Sequence, residues 1–335
     1  MIFITGGTGF LGAHLLWKLC SEKENIRALY RSEKQLKETK FIFSFYTSEP
    51  EKYINKIEWV QGDLMDYDSF SGYLNECAEV YHTAAVVDYV PGHRRSTIQK
   101  NIKTTENLVN ACLNVPNIKL CYASSIAALG EIDDPITEET SYDFSPNASG
   151  YSVGKYYAEM EVWRGIAEGL NAVMVNPSVI LGPGNWHKSS TALFKTVFDG
   201  LRFYTEGTTG YVDVRDVSDA MILLMEKGEC GQRFLLNSEN LSYQELFTQI
   251  ANGFAVKAPY IKVDPLLAEL VCWFEHAKYK ITGKAPLITK ETARISQKTL
   301  RYSGQGIVEA YSFEYMPVSE TIKYSCDTLK KSYSI

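Results

Sequence analysis

Tyr151 and Lys155 close the segment Tyr151-Ser152-Val153-Gly154-Lys155, a spacing that puts a phenol and an ammonium on one face of a helix. A free phenol titrates near pH ~10, too high for proton shuttling at neutral pH. A nearby ammonium favours the phenolate and brings the phenol toward the working range. Ser125 lies upstream, just past the end of an expected strand, where its hydroxyl can hydrogen-bond a substrate oxygen. Ser124 competes with it, and Ser125 is the favoured serine. The same Tyr-x-x-x-Lys spacing recurs at Tyr30 and Lys34; in a chain with 22 tyrosines, about one or two such matches arise by chance. Context separates the two, because Tyr151 opens a helical-period segment directly after the fifth expected strand.

A second group of residues could hold an anion. The run Thr5-Gly6-Gly7-Thr8-Gly9-Phe10-Leu11-Gly12 falls between an expected strand and an expected helix. Its glycines permit a tight turn and close backbone approach, and the helix start offers unpaired N–H groups to a pyrophosphate. Gly6, Gly9, Phe10, Leu11 and Gly12 are therefore expected to bind a dinucleotide. At the end of the second strand Arg31 stands where NAD sites usually carry a carboxylate. An arginine there pairs with a 2′-phosphate, so NADP is the preferred cofactor, while nearby Glu33 keeps NAD possible. Asp63, next to Leu64, either accepts from an adenine amino group or caps a helix. Thr83, Ala84 and Ala85 follow the fourth strand as small residues that leave room for a flat cofactor, and Lys155 can hold its ribose. His82 is expected to be a packed core histidine.

The elements that must position these residues alternate strongly. Strands are expected at Ile2–Thr5, Ile26–Tyr30, Ile57–Gln61, Glu79–Thr83, Ile118–Ala123 and Ala172–Asn176, with helices at about 10–22, 33–46, 66–75, 97–115 and 151–168. This rhythm predicts an α/β fold, a doubly wound parallel Rossmann sheet whose strand ends carry the chemistry. After residue 177 the pattern loosens around Pro177, Gly182, Pro183 and Gly184, with a strand near Gly210–Val214, a helix near 216–227 and a helix-rich C-terminal stretch. The expected division is residues 1–177 plus about 211–238 as the dinucleotide-binding domain. Residues 178–210 plus 239–335 then form a smaller, mostly helical C-terminal substrate lobe.

Composition narrows the class. Thirty-four Lys and Arg against 40 Asp and Glu give the 335-residue chain a net charge of −6, which excludes a broadly basic surface for nucleic acid or anionic membranes. Seven cysteines without a Cys-x-x-Cys pair argue against a disulfide framework or a metal site and for a reducing, cytoplasmic setting. No stretch is long and apolar enough to span a membrane, and Pro265 to Phe274 reads as a buried or subunit-contact helix. The 22 tyrosines and 15 phenylalanines fit an apolar substrate lobe as well as ordinary packing.

Taken in order, Thr5 to Gly12, Gly62-Asp63-Leu64, His82-Thr83-Ala84-Ala85, the Ser125–Tyr151–Lys155 set, and Asn176-Pro177-Ser178 followed by Gly182-Pro183-Gly184 resemble the extended short-chain dehydrogenase/reductase superfamily, the NAD-dependent epimerase/dehydratase family. The resemblance spans almost the whole chain. It implies a Ser-Tyr-Lys mechanism, a cofactor contact at Pro177, an ordering role for Asn101, and a possible homodimer through the helices at about 97–115 and 151–168. Three functions follow: reduction of a ketone or aldehyde on a small, apolar substrate, or the reverse; nucleotide-sugar epimerisation or dehydration; and idle dinucleotide binding as a sensor or scaffold. Ser125-Ile126-Ala127-Ala128 lacks the Asp-Glu pair of the 4,6-dehydratases. Gly207 to Asp216 lacks the Arg-Asp pair that nucleotide-sugar enzymes usually carry before this strand, and its wording resembles dihydroflavonol reductases, 3β-hydroxysteroid dehydrogenases and aldehyde reductases. Arg215 is expected to form a structural ion pair, and intact Ser125, Tyr151 and Lys155 speak against the idle binder. Asp88, Tyr89, Ile126, Trp186, His187, Phe194 and Tyr211 are candidates for substrate contact or for packing.

Overall fold

The computed structural model describes residues 1–88, 90, 92–146, 148–263 and 290–335. Tyr89 and the segment from Pro265 to Phe274 lie outside the described residues.

Four-to-seven-residue apolar runs form the strands of one sheet: β1 (Ile2–Thr5), β2 (Ile26–Tyr30), β3 (Ile57–Gln61), β4 (Glu79–His82), β5 (Lys119–Ala123), β6 (Asn171–Pro177) and, later, Arg233–Leu236. The order is Arg233–Leu236, β6, β5, β4, β1, β2, β3, and every pairing is parallel. Between them run α1 (Phe10–Glu22), α2 (Glu33–Phe43), α3 (Pro50–Ile54), α4 (Arg94–Leu113) and α5 (Gly150–Ala167). The strand order reverses at β1, whose neighbours are β2 and β4; ligands of open α/β sheets bind at such a point, outside the strands' carboxyl ends.

Side-chain alternation explains the two covered faces. Ile2, Ile4, Cys121 and Val173 pack with Leu15, Leu16 and Leu19 of α1. Phe3, Leu120, Tyr122 and Ala172 point the other way, into a core with Leu108 and Val109 of α4 and Ala158 and Val162 of α5. Strands buried on both faces read as near-continuous apolar runs, which made β1, β4, β5 and β6 legible, whereas edge strand β3 exposes Glu58 and Gln61.

The elements depart from expectation in several places. The helix expected at about 66–75 is two 3₁₀ turns, Tyr67–Ser69 and Ser71–Leu74. Ser69 Oγ donates to the Asp66 carbonyl at 2.7 Å and accepts from the Asp63 N–H at 2.9 Å, local bonds that compete with an α-helix. After β7 (Val179–Leu181) come α6 (Thr191–Phe198), β8 (Phe203–Tyr204), β9 (Thr208–Asp213), α7 (Val214–Lys227), β10 (Arg233–Leu236), β11 (Glu239–Ser242), α8 (Tyr243–Phe254) and β12 (Ile261–Lys262). Strand β10 pairs with β6, whereas β9 pairs with β7 and β11 in a separate three-stranded sheet. Residue 211, the expected start of the second dinucleotide-binding segment, lies within β9, and residues 178–210 and 239–263 contain strands as well as helices. Leu181, Trp186, Phe194, Tyr211, Leu246 and Ile322 gather in a core of their own. Among the described residues no helix is long and apolar enough to cross a membrane.

Candidate active site

The glycine run turns directly from β1 into α1. Gly6 has φ +76°, a left-handed conformation that favours glycine, and its carbonyl accepts the Gly9 N–H at 2.8 Å. A Cβ on Gly6 would stand 2.5 Å from the Ala84 nitrogen, and one on Gly12 would stand 2.1 Å from the Gly6 carbonyl oxygen. The loop is therefore pressed against the end of β4 with no space for side chains. Gly9 caps α1 without a side-chain hydrogen bond, and no acidic residue occupies the first turn. Free N–H groups and the positive end of the helix dipole face the strand ends there. This bare cradle fits a pyrophosphate, and so a dinucleotide.

The other expected cofactor residues line the same edge of the sheet. Thr83 Oγ1 donates to the Thr5 carbonyl at 2.8 Å, tying β4 to β1; Thr83 and Ala84 are half-buried and Ala85 is exposed. Arg31 is exposed at the end of β2, and its backbone carries its hydrogen bonds: the N–H to Gln35 at 3.3 Å and the carbonyl from Gln61 at 3.2 Å. Asp63 caps no α-helix; its Oδ1 accepts the Met65 N–H at 2.9 Å, closing a turn after β3. Leu64 is buried and its carbonyl accepts from Asn107. Pro177 is the buried last residue of β6. Phe10 and Leu11 open α1, both half-buried.

Ser125, Tyr151 and Lys155 come together between β5 and α5. Ser149 caps α5, accepting the Ser152 N–H at 2.7 Å, and Gly154 lets α4 approach so closely that a Cβ would lie 3.2 Å from Ile98 Cα. Ser125 Oγ accepts the Ala127 N–H at 3.1 Å and lies close enough to the Tyr151 phenol to act on it. Burial pushes the Tyr151 phenol up, and Ser125 pulls it only partly back. The net direction is upward, opposite to the lowering expected from an ammonium one turn away. The reason lies at Lys155: its Nζ donates to the Tyr122 hydroxyl at 2.7 Å and to the Ala123 carbonyl at 2.8 Å. Burial lowers that lysine to about 7, with Glu159 opposing the fall.

Ser124 is spent elsewhere, its hydroxyl donating to Glu159 at 2.5 Å, which leaves Ser125 as the serine facing Tyr151. His82 is fully buried between Thr5 Oγ1 at 2.7 Å and Thr105 Oγ1 at 3.2 Å; burial and then Lys155 lower it to about 3, so it is a neutral core histidine. Asn101 clamps the backbone of Val86, accepting its N–H at 2.8 Å and donating to its carbonyl at 2.9 Å. Arg215 pairs with Asp213 through two bonds of 2.9 and 2.6 Å and lies over the Tyr324 ring, the structural pairing expected of it. Of the other pocket candidates, Trp186, Phe194 and Tyr211 are core residues of the lobe. His187 is exposed, Ile126 packs beside Leu129, and Asp88 accepts from His93 at 2.7 Å.

Sequence reasoning missed Tyr122, Glu159 and Arg233. Glu159 repeats the four-residue step from Tyr151 through Lys155, so helical periodicity alone places it on the same face. Tyr122 follows from strand alternation, two residues before Ser124.

Residues 2–236 match the family described as NAD dependent epimerase/dehydratase. A Synechocystis sp. protein provisionally named dihydroflavonol 4-reductase is 28% identical over 333 residues, covering 96% of this chain and 92% of that protein. Cinnamoyl-CoA reductase 1 of Petunia hybrida is 26% identical, over 77% of this chain and 78% of its own length. Among solved structures, a dTDP-glucose 4,6-dehydratase of Streptomyces venezuelae with NAD bound superposes with a TM-score of 0.76 at 15% identity, covering 99% of this chain and 98% of that one.

Proposed function

Since the chain belongs to the NAD-dependent epimerase/dehydratase family of extended short-chain dehydrogenases/reductases, we propose that it is an NADP-preferring reductase. Its substrate in this reading is a ketone or aldehyde on a small, apolar molecule, with the reverse oxidation open to it. The observation that carries the reading is the convergence of Ser125 and Tyr151 between β5 and α5, on the same sheet edge as the bare glycine cradle. The reductase names of the relatives at 28% and 26% identity support it.

When bound, a nicotinamide dinucleotide supplies the hydride for carbonyl reduction. Gly6, Gly9, Phe10, Leu11 and Gly12 would hold its pyrophosphate, Arg31 a 2′-phosphate, Asp63 and Leu64 the adenine end, and Thr83, Ala84, Ala85, Tyr151, Lys155 and Pro177 the nicotinamide half. Tyr151 gives its phenolic proton to the substrate oxygen as negative charge develops there. Burial keeps that phenol protonated at neutral pH, which suits donation and hence reduction. Ser125 holds the same oxygen and stabilises its charge. Lys155, anchored by Tyr122 and Ala123, supplies positive charge beneath the site as the phenolate forms. Asn101 fixes the chain after β4 through Val86.

A nucleotide-sugar reading is less well supported, because Arg215 already spends its guanidinium on Asp213 and Tyr324 and offers no free fork to a diphosphate. Homodimerisation through α4 and α5 belongs to the same proposal; Tyr157 of α5 is 43% exposed. The reaction class is tested by following nicotinamide absorbance with a panel of apolar ketones and aldehydes. Stoichiometric NADPH consumption supports the reductase, and interconversion of UDP-sugars without net cofactor change would replace it with the epimerase.

A further inference from the structure

Glu159 lies one helical turn beyond Lys155 on α5 and is 1% exposed, a buried carboxylate that the mechanism above does not use. Three strands or strand ends reach it. Ser124 Oγ donates to Oε2 at 2.5 Å from the end of β5, Asn176 Nδ2 to Oε2 at 2.8 Å from β6, and Arg233 to Oε1 at 2.6 Å from β10. Asn176 Nδ2 also donates to the Ser125 carbonyl at 3.0 Å, so the carboxylate and the turn carrying Ser125 share one donor. Arg233 in turn bonds the Glu138 carbonyl and lies over the Trp163 ring.

Desolvating a carboxylate costs several kcal/mol, and apolar side chains of similar volume often serve stability as well as a buried ion pair. Stability alone therefore gives little reason for a charge at this position. What the charge faces supplies one. Among the described residues, the titratable groups beside Lys155 other than Glu159 are the phenols of Tyr122 and Tyr151, both raised by burial, and His82, lowered by it; all three are neutral at neutral pH. Glu159, at the i+4 position of the same helix, is the anion acting on the ammonium, with Arg233 on its far side.

Resting on the Ser-Tyr-Lys reading, we propose that Glu159 is a positioning residue for this reaction. It fixes the Ser124–Ser125 turn against α5 and keeps the Lys155 ammonium charged beneath the site. Its charge acts on Lys155, and its hydrogen bonds act on Ser125 through Asn176.

The test titrates Lys155 in the full-length protein labelled with 13C at lysine Cε, the resonance being assigned by its loss in Lys155→Met. Glu159→Gln keeps the shape and removes the charge; it should displace the Lys155 titration to lower pH by about one unit. Glu159→Asp keeps the charge and should titrate closer to the parent than Glu159→Gln does. Should Glu159→Gln fail to fold with Arg233 unpaired, the double variant E159Q/R233Q leaves no lone charge and should show a smaller displacement in the same direction, since losing the more distant Arg233 cation offsets part of the effect. Titration of Lys155 at the parent value in E159Q, or in the double variant, overturns the proposal. The measurement needs no turnover, so it stands or falls separately from the carbonyl panel.

Discussion

The ammonium of Lys155 lies 2.7 Å from the phenol oxygen of Tyr122 and 4.3 Å from the centre of its ring. Tyrosine 122 is thus the second phenol of the site, a buried anchor on β5 that offers Lys155 both an acceptor and a π face. Tyr122→Phe keeps the face and removes the acceptor. A hydrogen bond to a charged group contributes about 1.5–3 kcal/mol, so unfolding free energy should fall by about 1 kcal/mol or more in a urea titration. Losing an acceptor disfavours the ammonium. In the proposed mechanism Lys155, which burial lowers to about 7, sets the alkaline limb of kcat/KM for reduction, and that limb should therefore move to lower pH. An unmoved limb would mean that Tyr122 does not tune Lys155 in the reaction.

Arg31 is exposed at the end of β2, where the proposed NADP preference puts the 2′-phosphate. Arg31→Ala should weaken NADPH binding about tenfold or more, in line with loss of a charge-assisted bond. NADH binding should change less than about threefold. Fluorescence titration with both cofactors checks this, and equal losses would remove the 2′-phosphate contact.

Asp216 opens α7 and is 6% exposed; its Oδ2 accepts the Met316 N–H at 2.8 Å. Burial raises it to about 7, with Asp213 and Asp219 adding to the rise. A carboxyl whose folded value exceeds its unfolded value of ~4 binds more proton when folded. Its contribution to stability is consequently full below pH ~4 and declines as pH rises through about 7. Asp216→Asn should flatten that slope and stabilise the protein at pH ~8 by on the order of 1–3 kcal/mol. Denaturant unfolding at several pH values measures it, and parallel curves for the two proteins would contradict the assignment.

What was legible in the sequence divides along physical lines. Strands β1, β4, β5 and β6 are buried on both faces, so their apolar runs announced them; edge strand β3 showed through Ile57, Trp59 and Val60 despite exposed Glu58 and Gln61, and the glycines at 6 and 12 announced a turn that admits no Cβ. Strand β10 is no shorter than β4 and is likewise opened by a charge; it was missed because it lies past residue 177, where the regular strand–helix alternation loosens, and its Arg233 meets Glu159. Ser125, Tyr151 and Lys155 were legible as types at a spacing. Their balance was not: which phenol Lys155 contacts depends on β5 and α5 packing, a relation between distant residues. Asp63 shows the same limit, since an Asx turn and a helix cap use one side chain at nearly one position.

In the proposed mechanism Tyr151 transfers the proton, at a site whose glycine cradle for the pyrophosphate is independent of its hydroxyl. Tyr151→Phe removes that hydroxyl alone. With an aldehyde or ketone that the parent protein reduces, the variant should bind NADPH with a Kd within about threefold of the parent and lose on the order of 100-fold or more in kcat. Turnover at the parent rate, with the cofactor bound, would contradict the account.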